Sequence, residues 1–362
     1  MHELKFHWRL PQGGERSGAS RAEQNSLEST GLPDLEAQLA FCRAAEDAGI
    51  HSLLTDFGWA KPDPILLATA LGMSTRSIGF IVAYRSGLIC PTSFVQQLNT
   101  LSCLIDGRFS LNIVAGHSPE EQHYYGDWLE HDDRYTRTEE FLGICRALWS
   151  RQHGVTAAGQ HYRVEDSRLN TPFHSTYGRT FPELFIAGNS AQARALAIAQ
   201  GTCWMQIATT PREMAATGRD VLAAGVELGA RMSVIARETR EEAIAAAHAL
   251  IGESRPFDHR RAEHAFVQNS DSASVASTFA LGEHEWLTPY LWTGAVRSHG
   301  TPAIALVGSA EDVAAGLLDY VEAGISQFIL SGWPKLEEMV FFGRAVLPLV
   351  RERIESARIV GV

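Results

Sequence analysis

Several groups of residues in this sequence have types and spacings suited to chemistry. Gly188-Asn189-Ser190 follows a short apolar run and precedes an Ala-rich stretch ending at Gln200. Glycine lets backbone approach an anion, a helix N-terminus offers unpaired N–H groups, and Ser190 adds a hydroxyl, so this turn suits a phosphate. The same residues also serve as an ordinary N-cap. Tyr135 closes the run Glu-His-Asp-Asp-Arg-Tyr. Its phenol can donate to an anion while its ring packs; the alternative is a buried structural tyrosine beside a helix-start charge cluster. Asn112, Ala115 and His117 lie on or just past the apolar run Phe109 to Val114, and Ala83 ends another. Small residues there leave room for a flat ring system, and an Asn amide can read its polar edge. Plain interior packing, with Asn112 a satisfied amide, explains them equally.

Two arginines suit an anionic substrate. Arg231 opens Arg-Met-Ser-Val-Ile-Ala-Arg, and Arg297 lies in Leu-Trp-Thr-Gly-Ala-Val-Arg-Ser-His-Gly. A guanidinium in a barrel mouth needs a bidentate partner, either a ligand carboxylate or sulfonate or an internal Asp or Glu. His131-Asp132-Asp133 are too close in sequence to converge on a metal, and no carboxylate triad supports one, so no metal site is expected.

These residues fall at the ends of a regular succession of elements. Strands are expected to start near Leu4, His51, Ile78, Phe109, Glu183, Thr202, Arg231 and Gln327. Helices follow most of them, at about 25–30 residues per unit, which signals a parallel sheet. No Gly-x-Gly-x-x-Gly follows the first strand, which weakens an open dinucleotide-binding sheet. The expected fold is therefore α/β, a (β/α)₈ barrel with insertions and its site at the strands' C-terminal ends. Pro11 to Ser29 reads as a long polar loop and Arg151 to Phe181 as an excursion. Gly252 to Gly300, without a clean period, reads as an insertion covering the site.

Composition narrows the class. The chain has 362 residues, 45% hydrophobic and 20% charged, with a formal net charge of −11. A broad basic face for nucleic acid or acidic membrane is not expected. Five cysteines without a Cys-x-x-Cys pair argue against a disulfide framework or structural zinc, and most are expected to be buried. No secretory core and no run of about 18 uncharged apolar residues is found, so the cytoplasm is the expected compartment.

Asn-Ile-Val-Ala-Gly (112–116), Trp-Leu-Glu-His-Asp-Asp-Arg-Tyr (128–135) and Glu-Glu-Phe (139–141) carry a family resemblance. The chain resembles the bacterial luciferase-like FMN-dependent monooxygenases, and among them the alkanesulfonate and dimethylsulfone enzymes. The resemblance implies one barrel domain over 1–362 with an insertion or lid at about 252–300. It implies reduced FMN, with its phosphate at Gly188, Asn189, Ser190 and Tyr135 and its ring against Ala83, Asn112, Ala115 and His117. It places Arg231, Arg297 and Trp333 on the substrate side. It further implies O₂-dependent oxidation of a small organic substrate (a sulfonate or other organosulfur compound), a separate NAD(P)H:FMN reductase, and a homodimer or homotetramer. The substrate side departs from the sulfonate enzymes: Ser233 and Gly13 stand where they carry His, Lys61 near their Cys, and Trp333 in place of Tyr. Trp cannot supply a phenol proton. An FMN-dependent hydroxylase of a specialised metabolite, a deazaflavin-dependent oxidoreductase and a non-catalytic flavin-binding protein are the alternatives.

Overall fold

The computed structural model describes residues 2–12, 33–116, 118–150, 154–252, 267 and 270–360. Eight strands form the frame: β1 (Lys5–Arg9), β2 (Ser52–Thr55), β3 (Gly79–Tyr84), β4 (Phe109–Ile113), β5 (Glu183–Ala187), β6 (Cys203–Ile207), β7 (Glu227–Arg237) and β8 (Ile325–Gly332). Each pairs in parallel with the next, and β8 pairs with both β7 and β1, so the sheet closes on itself. This is the closed α/β barrel that the strand–helix alternation predicts. All eight expected strands are present, but β7 begins at Glu227 rather than near Arg231, which places Arg231 in the middle of the strand.

Closure assigns each side chain to one of two layers, because successive residues of a strand point to opposite faces. On β3 and β4, Phe80, Val82, Tyr84, Phe109, Leu111 and Ile113 face outward into the main core beneath the helices. Ile81 and Ala83 join Leu54, Phe185, Cys203, Met205 and Ile329 in a separate inner cluster. β1 alternates likewise, with Phe6 and Trp8 in the outer core while His7 and Arg9 occupy the other face. Strands buried on both faces read as nearly continuous apolar runs. The few polar side chains on the inner face are therefore the ones that need explanation.

The connections hold features that periodicity does not reveal. The excursion after Trp149 contains an antiparallel hairpin, Val155–Ala158 with Arg163–Ser167. The apolar run at Ala303 is the foot of a ninth strand, Ala305–Ser309, which lies in parallel against the upper half of β7. β7 is long enough for this: Cys203 to Ile207 of β6 pair with its lower half, and the ninth strand takes over from Ser233. The final helix is interrupted by a π-turn at Phe342–Val346 and runs on to Val360. Cys42, Cys145 and Cys203 are buried, while Cys90 and Cys103 are exposed. The polar loop expected at Pro11 to Ser29 lies, from Gly13 on, outside the described residues, as do most of residues 253–269.

Candidate active site

A cavity of about 350 Å³ opens at the C-terminal ends of the strands. That is within the range of ligand pockets, and it is the end at which barrels of this type carry their sites. Three chemically distinct regions line it.

The first lies at the end of β5. Gly188 has φ +131°, a conformation that favours glycine, and a Cβ there would lie 3.1 Å from the Ala193 Cβ and 3.2 Å from the Tyr135 hydroxyl. Ser190 is the N-cap of the helix Ala191–Gln200, its Oγ accepting from the Ala193 N–H at 3.1 Å. The same Oγ lies 3.4 Å from the Tyr135 hydroxyl. One residue thus both caps the helix and lines the cavity. The Asn189 side chain is committed differently: its Oδ1 accepts from the Ile207 N–H at 3.1 Å and its Nδ2 donates to the Ile207 carbonyl at 3.3 Å. It fastens the turn to β6, while its backbone N–H donates to the Ser274 Oγ at 2.9 Å. Ser272 and Ser274 also line this region. The Gly188 N–H donates to the Met205 carbonyl at 3.1 Å and its carbonyl accepts from Trp204 Nε1 at 2.8 Å, so the hydroxyls of Ser190, Tyr135, Ser272 and Ser274 and the start of the helix are what this cradle offers the cavity.

The second region is the middle of the cavity. Ala83, Ala115 and Ala187 keep it open. Among the described residues, the Asn112 Oδ1 and the Gln206 Nε2 are buried without hydrogen-bond partners, and both residues line the cavity. Leaving a buried polar atom unsatisfied costs about 1–3 kcal/mol, so an acceptor and a donor held this way point to a ligand with polar edges. The Ala115 carbonyl is already occupied, accepting from Arg134 Nε at 2.9 Å and from Gln122 Nε2 at 3.3 Å. Buried Arg134 thereby fixes the strand end that follows Asn112.

The third region is cationic. Asp56, buried just past β2, accepts from Arg9 Nε at 2.5 Å and Lys61 Nζ at 3.0 Å on one oxygen, and from Arg231 at 3.3 Å on the other. Lys61, Arg9 and Arg231 together hold the Asp56 carboxyl well below the ordinary carboxylate range. Burial pushes Lys61 down to about 8. Ser233 and Ser331 stand on the neighbouring wall, Oγ to Oγ 2.8 Å, with Ser233 also donating to the Pro302 carbonyl at 2.7 Å.

Of the residues singled out in the sequence, Ala83, Asn112, Ala115, Tyr135, Gly188, Asn189, Ser190, Arg231 and Trp333 line this one cavity. Trp333 packs edge-on against His299, with ring centroids 5.5 Å apart. Arg297 does not line the cavity. It is exposed, and its Nε donates to the Gly282 carbonyl at 3.5 Å. His117 lies outside the described residues. Asp56, Arg9 and Gln206 were not anticipated as site residues, and Lys61 was noted only as a departure.

A closed α/β barrel with one cavity at the C-terminal ends of its strands, lined by hydroxyls, amides and cations, is the architecture of a barrel enzyme. The chain belongs to the luciferase-like monooxygenase family, whose model matches residues 10–327. Solved structures share the fold. EDTA monooxygenase (EmoA) from Chelativorans sp. BNC1 is 18% identical, with 97% of this chain and 94% of that one covered at a TM-score of 0.71. DmoA from Hyphomicrobium sulfonivorans is 19% identical, with 97% and 89% covered at 0.74. A riboflavin lyase (RcaE), solved with modified FMN and riboflavin, is 21% identical, with 97% and 92% covered at 0.71.

Proposed function

We propose that this chain is the oxygenase of a two-component monooxygenase: it binds reduced FMN supplied by a separate NAD(P)H:FMN reductase and uses O₂ to oxidise a small organic substrate. The observation that carries this reading is the pairing, in one cavity, of the Gly188–Ser190 turn with the buried Asn112 Oδ1 and Gln206 Nε2, which have no partner among the described residues. A flavin mononucleotide has both an anionic tail and a flat ring with a donor-and-acceptor edge. Ser190 and Tyr135 would hold the phosphate, with the helix N-terminus behind them. Asn112 and Gln206 would meet the pyrimidine edge, and Ala83 and Ala115 leave the ring its width. Bound there, the flavin supplies the oxygen chemistry. The chain orients it, excludes water and positions the substrate. The described part of the 252–300 insertion brings Ser272, Ser274 and Val275 over the cradle, which supports its reading as a cover.

Oxygen uptake by the purified chain, with FMN, NADH and any flavin reductase, tests this. Uptake above the reductase-alone rate, coupled to an oxygenated product when an organic substrate is present, is the expected result. Binding of a deazaflavin in preference to FMN would move the chain to hydride-transfer chemistry. Tight FMN binding with no coupled turnover of any substrate would make it a flavin-binding protein instead.

A further inference from the structure

One cation lining the cavity stands apart from the Asp56 group. Arg85 follows β3 and is only 4% exposed. Ile81 and Ala83 of β3 face the barrel interior, and Arg85, two residues past Ala83, keeps to that side. Asn112 is the register partner of Ala83, and the pairing runs on to the Val114 N–H, which donates to the Tyr84 carbonyl at 3.0 Å. Two residues of strand rise about 6–7 Å, so Arg85 stands one side-chain layer above the Asn112 amide, toward the mouth. Its Nη2 pairs with the Glu121 carboxylate at 2.9 Å. Its Nε and Nη1 are buried with no hydrogen-bond partner among the described residues. Buried Arg134 shows the ordinary pattern, with Nε, Nη1 and Nη2 each bonded to an acceptor. The Arg85 guanidinium carbon lies over the Phe57 ring at 4.8 Å and over the Tyr125 ring at 5.9 Å. These face contacts hold the guanidinium and leave its two nitrogens without an acceptor. Unmet donors on a buried charged group cost more than those on a neutral amide.

We propose that Arg85 donates to the pyrimidine end of a reduced flavin and so makes the cavity favour the reduced cofactor over the oxidised one. This rests on the flavin reading of the cavity and adds to it a residue that distinguishes the cofactor's two redox states. Ser190 and Tyr135 cannot make that distinction, because the phosphate carries the same charge in both. The ring can. The oxidised isoalloxazine is neutral, whereas the two-electron-reduced ring at neutral pH is an anion with its charge on N1 and the C2 carbonyl. Those atoms belong to the polar edge that Asn112 and Gln206 would meet. A guanidinium donates more strongly to an anion than to a neutral carbonyl, because Coulomb attraction adds to the hydrogen bond. Glu121 tunes the effect. Its carboxylate holds Arg85 in place, and its negative charge offsets part of the attraction an anionic ring would feel. Arg85 is the binding residue and Glu121 the positioning residue.

The full chain is titrated anaerobically with FMN and with FMNH₂, and the ratio of the two dissociation constants is compared between wild type and variants. Arg85→Gln is expected to weaken FMNH₂ binding about tenfold more than FMN binding. The midpoint potential of the bound flavin then falls by about 30 mV, which is that tenfold for a two-electron couple. Ser190→Ala weakens both states alike and leaves ratio and potential unchanged. Glu121→Gln keeps an acceptor for Nη2 but removes the charge, and shifts the ratio the other way, toward the reduced state. A merely structural role for the pair would weaken both states in both variants, so the opposed shifts separate the two roles. If Arg85→Gln does not fold, the double variant Arg85→Gln with Glu121→Gln, which removes both buried charges, carries the same expectation. An unaltered ratio or equal weakening of both states in Arg85→Gln, or a lowered preference in Glu121→Gln, overturns the proposal while leaving the flavin site intact. Failure of wild type to bind either state removes the flavin reading itself, and the role of Arg85 with it.

Discussion

At Gln206 the proposed binding role and the stability of the fold make opposite demands on one residue. Its Nε2 is buried and unpartnered. Gln206→Met keeps the volume and removes the unsatisfied donor, so the flavin-free chain is expected to gain about 1 kcal/mol in urea denaturation while flavin affinity falls about tenfold. A less stable variant with unchanged affinity would show that the amide serves the fold. Gly188→Ala acts in the opposite direction. Its φ of +131° is strained for any side chain, and a Cβ there would crowd the Ala193 Cβ and the Tyr135 hydroxyl, so a cost of about 1–3 kcal/mol and weakened flavin binding are expected. His7 is buried inside the barrel, with its Nε2 2.8 Å from the Gln327 Oε1. Burial lowers its pKa to about 4 from 6.5. The unfolded chain therefore takes up a proton first, and stability is lost as pH falls from 6.5 to 4, by about 3 kcal/mol in full. His7→Gln should flatten that part of the pH–stability profile, and an unchanged slope would contradict the assignment.

At the scale of elements, the barrel depends on linkers that bind strand to helix. Buried Arg108 donates to the carbonyls of Ile78 at 2.5 Å and Gly72 at 2.7 Å, and so ties the end of the helix Pro64–Gly72 to the start of β3. Arg108→Lys cannot span both carbonyls from a single ammonium. It should destabilise by about 2–4 kcal/mol, measured as a lower urea midpoint with unchanged slope. This scale is also where the sequence was most and least legible. The eight barrel strands stand out because burial on both faces makes short apolar runs between turn signals. The hairpin Val155–Ala158/Arg163–Ser167 does not, since several of its residues are exposed and polar. The cradle was readable because Gly188, Asn189 and Ser190 are adjacent and a helix follows. Asp56 was not, because its partners Arg9, Lys61 and Arg231 stand 47, 5 and 175 positions away and meet only when the barrel closes. Asn189 looked like a phosphate ligand in the sequence, but its amide bonds to Ile207, a contact that only the β5–β6 adjacency creates.

At the scale of the whole molecule, closure of the barrel brings these scattered groups to one mouth. No helix among the described residues is long and apolar enough to cross a membrane. The chain carries a formal net charge of −11, yet its cavity gathers Arg9, Lys61 and Arg231 around one carboxylate. The central claim is that this mouth holds reduced FMN by its phosphate at the end of β5. Anaerobic titration of the purified chain with FMNH₂, beside oxidised FMN, riboflavin and a deazaflavin, tests it most directly. Saturable FMNH₂ binding, tighter than riboflavin and weakened about tenfold by Ser190→Ala or Tyr135→Phe, is the predicted result. Absence of binding by any flavin, or binding indifferent to the phosphate and to both substitutions, would contradict it.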